Sequence, residues 1–319
     1  MEIFHHDLNI NFLGMRKVSI AISAILLIVS AWAIMVKGLN YGLDFTGGVM
    51  VEVNYQQPID VGEVRQALEA AGFQHAVVQS LGGTRQISIR LQPPKSGNRN
   101  VSADQLATQV SDSVLAALKA KRPGVTMTRH DFVGPEVGQE LKNSGVMAVI
   151  VVIIGIMIYL GMRFEKRFAV AALASEIHDT VITVGIIALV QREFDMTVLA
   201  SVLAVVGYSI NDKVVVFDRV RELFRLTRKA EPEQILNRAI NNTLSRTIIT
   251  SVFTAITMAS LYLFGGTAVH GFAITMLIGI LVGTLSSIFF ASPILLWLGV
   301  SKKDLMPVTK ENPELARRP

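Results

Sequence analysis

Apolar residues run almost unbroken in six places along the chain, and between the first two runs the pattern changes to short alternations. Val18 to Val36, Thr247 to Phe264 and Phe272 to Leu298 carry no charge, and neither does the slightly shorter Val146 to Met162. A hydrocarbon layer about 30 Å thick is crossed by roughly 20 apolar residues in a helix, which satisfies its own backbone hydrogen bonds where water is absent. A modest length mismatch is tolerated, so all four predict transmembrane helices. Phe168 to Val190 and Met196 to Phe217 are long enough but contain ionisable side chains. Chemistry is expected there. Ala31 and Ala33 around Trp32 imitate a signal-peptide cleavage site, but the run is long for a signal core and continues to Val36, which predicts a retained helix.

Between the first two spans, Lys37 to Gln139 reads as a soluble fold. Val49 to Tyr55 predicts a strand. Asp60 to Ala71 predicts a helix with Asp60 as N-cap, Glu63 three residues on and Gly72 as its stop. His75 to Leu81 and Arg85 to Leu91 predict strands joined at Gly82-Gly83. After a polar linker, Gln92 to Asn100, come a helix from Ser102 to Lys121 and a strand from Val125 to Val133. This β-α-β-β-α-β order is that of a ferredoxin-like split unit. The expected fold is a membrane all-α six-helix bundle with an inserted α+β domain. Its segments are 1–17, spans at 18–36, 144–162, 168–190, 196–217, 247–264 and 272–298, the domain with linkers at 37–143, a loop with an amphipathic helix at 218–246, and a tail at 299–319.

Charge sets the orientation. Arg16 and Lys17 precede the first span, Arg163, Lys166 and Arg167 separate the second from the third, and Lys302 and Lys303 follow the sixth. Arg219, Arg221, Arg225, Arg228, Lys229, Arg238 and Arg246 lie between the fourth and fifth. The alternate loops, Gln191 to Asp195 and Gly265 to Gly271, hold only Arg192, so both termini are expected in the cytoplasm and the domain outside it. The 319 residues are 51% hydrophobic and 17% charged, with a net charge of +5, a mean hydropathy of +0.46 and a pI near 9.5. Because the basic residues serve topology, nucleic-acid binding is the weaker reading. With no Cys in the chain, neither disulfides nor thiol-bound metals hold the outer domain. A single Cys at Ser111 or Gln191 is expected to label from outside, and one at Ala230 only after the membrane is opened.

An Asp inside a span costs roughly 2.5–3.5 kcal/mol on insertion scales and is retained for pairing or transport. Asp212 is therefore the leading site residue. Tyr208 and Ser209, four and three residues earlier, share its face, and Asn211 adjoins it. Lys213 is expected to snorkel to the headgroups. In the third span Glu176, Asp179 and Thr183 are spaced i, i+3 and i+7, so they line one face toward the same interior. Hydrogen-bonded helix glue is the structural alternative for them. A metal site from Glu176, His178 and Asp179 is disfavoured because neighbours on a helix point about 100° apart. Arg246 is an ordinary basic flank and also a candidate counter-ion for Asp212. Before it, Ile235, Leu236, Ala239, Ile240 and Leu244 form one apolar face, expected on the membrane surface. Gly279 and Gly283 form a G-x-x-x-G pair for close helix approach. The glycines of Gly42-Leu43-Asp44-Phe45-Thr46-Gly47-Gly48 lack a following Lys-Ser or Lys-Thr and no helix is expected there, which argues against a phosphate loop, a nucleotide or any other cofactor.

That same glycine motif resembles the SecD/SecF family of the resistance-nodulation-division superfamily. So do Val133-Gly134-Pro135-Glu136-Val137-Gly138, Gly207-Tyr208-Ser209-Ile210-Asn211-Asp212, Asp218-Arg219-Val220-Arg221-Glu222 and Tyr262-Leu263-Phe264-Gly265-Gly266. The likeness runs from the first span through the sixth. It implies a proton-driven protein-export component of the bacterial inner membrane, not an enzyme, and marks Gly42, Asp44, Gly47, Gly48, Asp218 and Arg219 as motif positions. The implied partners are SecD, which supplies the other six helices, the SecYEG channel with its SecA motor, YajC and YidC, besides the preprotein and lipid. The family's proton path falls on Asp212 and Arg246. Lys213 departs from the Ser or Thr common at that place, and a second cation there would hold Asp212 ionised. Two readings compete: a non-conducting assembly subunit, and a small-molecule exporter of the same superfamily, which the small, aromatic-poor domain disfavours.

Overall fold

The computed structural model describes residues 9–73, 76–81, 83–92, 103–227 and 230–301. In chain order its elements are α1 (Arg16–Trp32), β1 (Asn40–Tyr41), α2 (Leu43–Thr46), β2 (Gly48–Asn54), α3 (Val61–Ala70), β3 (Val77–Ser80), β4 (Gln86–Leu91), α4 (Ala103–Lys121) and β5 (Thr126–Val133). They continue with α5 (Pro135–Arg163), α6 (Lys166–Leu189), β6 (Glu193–Phe194), α7 (Met196–Leu226), α8 (Pro232–Phe264), α9 (Thr267–Ser286) and α10 (Ser292–Trp297). His75, Gly82, most of the 92–100 linker, Ser102 and the tail after Ser301 lie outside the described residues. The chain packs as two units. One is Asn40–Val149 together with Glu193–Met196, and the other is the remainder.

In the first unit, β2 is central because its valines alternate inward. Val49, Val51 and Val53 meet Ile87 and Ile89 of β4, Leu68 of α3, and Val114 and Leu118 of α4. The sheet runs β3-β4-β2-β5 with every pairing antiparallel, the ferredoxin-like order. Asp60 caps α3 by accepting from Gly62 N at 2.7 Å, and Gly72 leaves the helix at φ +90. Alternation was legible; two details were not. A helical turn, α2, opens inside the glycine motif where none was expected, and β1 pairs in parallel with β6. Gly47 and Gly48 are needed there, at φ +66 and +122, and a Cβ on Gly48 would run into Leu91 O. Ser111 is 0% exposed, because α4 turns it inward, so it suits labelling less than exposed Asp112.

The second unit holds the apolar helices. Among the described residues six are long and apolar enough to cross a membrane, and this is a multi-pass membrane protein. α6, α7 and the sixth span, α9 with α10, are about half buried, whereas α1, α5 and α8 are largely exposed. The helices of this unit touch where side chains vanish. A Cβ on Gly185 would strike Ser30, one on Gly279 would strike Val205, and one on Gly283 would come within 2.7 Å of Ser209 Oγ. The G-x-x-x-G pair thus seats the sixth span on α7.

Three boundaries differ from expectation. α5 begins at Pro135, whose missing N–H costs nothing at a helix start. α7 runs on to Leu226 instead of ending near Phe217. The stretch expected on the membrane surface is the start of α8, continuous with the fifth span. Its Ile235, Leu236, Ala239, Ile240 and Leu244 are buried in one core with Phe217, Val220 and Phe224, so the extended end of α7 covers the face assigned to lipid. Residues 218–246 are therefore mostly helix.

Gly279→Leu should lower thermal stability in detergent by about 1–3 kcal/mol, the usual cost of overpacking. Gly155→Leu should be neutral, since nothing lies within 4 Å of its Cβ position.

Candidate functional site

α6 and α7 present their polar side chains to each other. Lys213 is 0% exposed and Asp179 is 0% exposed. Lys213 Nζ donates to Glu176 Oε2 at 2.7 Å and to Ser209 Oγ at 2.9 Å, and stands 2.8 Å from Asp179 Oδ2. An ammonium has three donors, and all three are used. Ser209 Oγ in turn donates a hydrogen bond to Asp179 Oδ2 at 2.5 Å. His178 Nδ1 lies 2.8 Å from Asp179 Oδ1 and its ring stacks on Phe290 at 3.9 Å. Since an ionised carboxylate only accepts, His178 is the donor there.

Lys213 does not snorkel. It sits four residues after Ser209, which turns it toward α6, and α7 extends well beyond it, so no helix end is near enough to lead it out. Two carboxylates face one ammonium. Among the described residues Glu176 Oε1 and His178 Nε2 are buried without hydrogen-bond partners, as is Thr183 Oγ1. The 100° separation of His178 and Asp179 does not keep them apart, because the imidazole reaches round. Even so, no group able to hold a metal ion is found among the described residues.

Asp212 stands apart from this cluster. One residue before Lys213, it points elsewhere; it is 3% exposed, and its Oδ2 has no hydrogen-bond partner. The cations whose fields reach it are Arg246 first and Lys213 second. Arg246 is exposed at its place on α8. Among the described residues no ion pair within 4.0 Å joins them. Asn211 is exposed.

The sequence did not flag the hydroxyl chain across three helices. Tyr208 OH donates to Ser251 Oγ at 3.2 Å, Ser251 meets Thr284 Oγ1 at 2.7 Å, and Thr284 donates to Ile280 O at 2.7 Å. Thr284 has one proton, spent on the carbonyl, so Ser251 must donate to it. The chain ends on backbone and ties helices together. Ser175 and Ser286 make another tie at 2.8 Å. Behind them the sixth span breaks into a π turn, Ser287–Ala291, just before Pro293, whose absent N–H disrupts the ladder. Ser292 Oγ donates to Ser287 O at 3.3 Å. That turn brings Phe290 over His178.

The remaining motif residues make contacts of their own. Asp218 Oδ2 accepts from Arg163 at 2.5 Å and its other oxygen stands 3.4 Å from Arg221, which also pairs with Glu165 at 2.8 Å. Arg219 pairs with Glu222 at 2.6 Å. Gly42, Asp44, Gly47 and Gly48 form the turn beside β6.

Comparison with known proteins places these features together. Residues 113–301 match the family model "Protein export membrane protein SecD/SecF, C-terminal", and residues 32–59 match "SecD/SecF GG Motif". The protein translocase subunit SecF of Pseudomonas aeruginosa is 43% identical over 300 residues, 93% of this chain and 94% of that one. This chain belongs to the SecF family. The SecF of Vibrio alginolyticus is 42% identical over 321 residues, covering 100% of this chain and 99% of the relative. The crystal structure of SecDF from Thermus thermophilus, described as a translocon-associated membrane protein, superposes with a TM-score of 0.81 at 34% identity. It covers 93% of this chain, which spans 40% of the SecDF chain. As a SecF-family protein the chain is a component of protein transport, and its GG motif is the turn built on Gly47 and Gly48.

Lys213→Met should destabilise the protein by about 3–5 kcal/mol, because it strands two buried acids. Adding Asp179→Asn should recover part of that loss, read from the unfolding midpoint in detergent.

Proposed function

We propose that this chain works with SecD as a proton-driven export unit beside the SecYEG channel, drawing preprotein outward after SecA has acted. YajC and YidC are the further partners the resemblance implies. The six helices here would be one half of a twelve-helix unit, consistent with a chain that spans 40% of SecDF. The observation that carries the reading is Asp212: an acid within a span, with one carboxylate oxygen buried and unpartnered, reached by the field of Arg246 from the next helix. Protonation removes the cost of holding that charge in a low dielectric, and ionisation draws Arg246 toward it. Alternation between the two would bias the packing of α7, α8 and the sixth span. Each proton crossing the membrane supplies about 2.3 kcal/mol per 100 mV, enough to shift a two-state equilibrium by roughly fiftyfold. Glu176 and Asp179 belong to this path as a second protonation site held by Lys213.

The saturated Lys213 ammonium and the hydroxyl chain favour one other reading, a subunit whose polar residues only hold helices and stabilise SecD. Export and assembly separate the two. In reconstituted vesicles with SecD and SecYEG, Asp212→Asn should remove the export increment that depends on the proton-motive force while complex yield stays normal. Unchanged export would defeat the proton scheme, and lost assembly would favour the scaffold.

The orientation proposed puts both termini in the cytoplasm of a bacterial inner membrane. Single Cys at Asp112 and Gln191 should react with an impermeant maleimide in intact spheroplasts, and Cys at Ala230 only after permeabilisation. The reverse pattern would invert the topology.

A further inference from the structure

The short segment between α6 and α7 packs with the outer domain, and the contacts are specific. Asn40 and Tyr41 are in register with Glu193 and Phe194, and Gly42 N donates to Phe194 O at 2.8 Å. Arg90, 8% exposed on β4, donates to Tyr41 O at 2.6 Å and to Asn40 Oδ1 at 2.9 Å, and lies 3.5 Å from Glu193 Oε1. One guanidinium thus binds both strands. The rings of Tyr41, Phe45 and Phe194 pack with centroids 6.0–6.2 Å apart. The fit leaves no room at Gly42, where a Cβ would come within 3.0 Å of Asp195 Cβ and Glu193 Oε1. Beyond this ladder, Asp44 Oδ2 accepts from Met196 N at 2.9 Å. Met196 is the first residue of α7, the helix that carries Asp212 and Lys213.

We propose that Asp44 is a positioning residue for α7, the point at which the GG-motif turn holds the start of the charged helix. The first N–H groups of a helix have no partner within it, and the dipole there favours a negative charge, so a carboxylate from another segment both satisfies and orients that end. Arg90 keeps the loop against the turn so that the carboxylate meets its target. This gives the acid of the turn, set between Gly42 and the Gly47-Gly48 pair, a task that domain folding alone does not require. The proposal deepens the export reading and rests on it, since aligning α7 matters because Asp212 is on it.

Burial also holds the Glu193 carboxyl above its ordinary range, opposed by Arg90 and by a hydrogen bond from the Leu43 backbone, and reinforced by Asp195 and Asp44.

The test uses the full complex in vesicles. Asp44→Ala should reduce proton-motive-force-dependent export by about fivefold or more and raise amide exchange at the first turn of α7 by a similar factor. Exchange in α6, α9 and the middle of α7 should not change. Asp44→Asn, which keeps the acceptor oxygen, should stay within about twofold of the parent on both readouts. The register partners Tyr41 and Phe194 provide a rescue: in the Asp44→Ala background, Tyr41→Cys with Phe194→Cys should restore export when oxidised and lose it again on reduction. Parental exchange in Asp44→Ala, equal defects in Ala and Asn, or an oxidised pair that restores nothing would each overturn the proposal. Asp212→Asn run in parallel keeps the two readings apart, because insensitivity there sinks proton coupling while the exchange data on α7 stand on their own.

Discussion

An ammonium enclosed by two carboxylates inside a lipid-embedded bundle persists only if every donor finds an oxygen, and the arrangement of the inner helices follows from that demand. Lys213 reaches Glu176, Asp179 and Ser209 at 2.7–2.9 Å. Such distances require α6 and α7 to lie close, with small residues around them. Ser209 is small enough to act as the third acceptor and to let Gly283 seat against it. Gly279 then meets Val205, and Ser175 meets Ser286, so the sixth span is drawn onto both helices. Burying the pair contributes little net stability against apolar residues, because desolvation offsets most of the attraction. Its effect is to fix which faces meet.

Adjacent positions on α7 divide the chemistry. A rotation of about 100° separates Asp212 from Lys213, and that turn decides what each can do. Lys213 faces two acids and the Ser209 hydroxyl, all within 2.9 Å of its ammonium. Asp212 faces a cation that reaches it by field without an ion pair, and one of its oxygens is unpartnered. The closed cluster ties α6 to α7, while the open one is the charge whose state, on the proposed scheme, would alter packing toward α8. The hydroxyl chain from Tyr208 runs beside the second and ends on Ile280 O, so it holds α8 to the sixth span without offering Asp212 a relay.

Six apolar runs and a β-α-β-β-α-β alternation were readable because burial in lipid and burial in a two-layer domain each impose a period on the sequence. The face shared by Glu176, Asp179 and Thr183 was readable for the same reason. Lys213 was misread because the end of α7 was placed at Phe217, nine residues short of Leu226 on the continuous numbering, which made an interior lysine look terminal. The correct signal was its i+4 relation to Ser209. The face of Ile235, Leu236, Ala239 and Ile240 was read as lipid-facing because amphipathicity reports that a face is covered and not by what. The cover comes from the extended end of α7 together with residues of α5, α6, the sixth span and the segment before α1. The parallel pairing of β1 with β6 joins residues far apart in the chain through two-residue strands, too short to carry any period.

A straight helix transmits displacement along its axis, and α7, 31 residues long, spans about 46 Å at 1.5 Å per residue. Its first residue is held by Asp44, and toward its far end Asp218 and Arg221 are tied to Arg163 and Glu165. A helix gripped at both ends and charged between them has little freedom to bend in response to a proton. The sixth span is different. Its ladder is already broken at Ser287–Ala291, beside His178 and next to Thr284, where both polar systems touch it. Local rearrangement there costs less than kinking an intact helix, because the i→i−4 bonds it would sacrifice are not made. On the proposed proton scheme, the π turn of the sixth span is where the backbone would yield at least cost to a change of charge on α7.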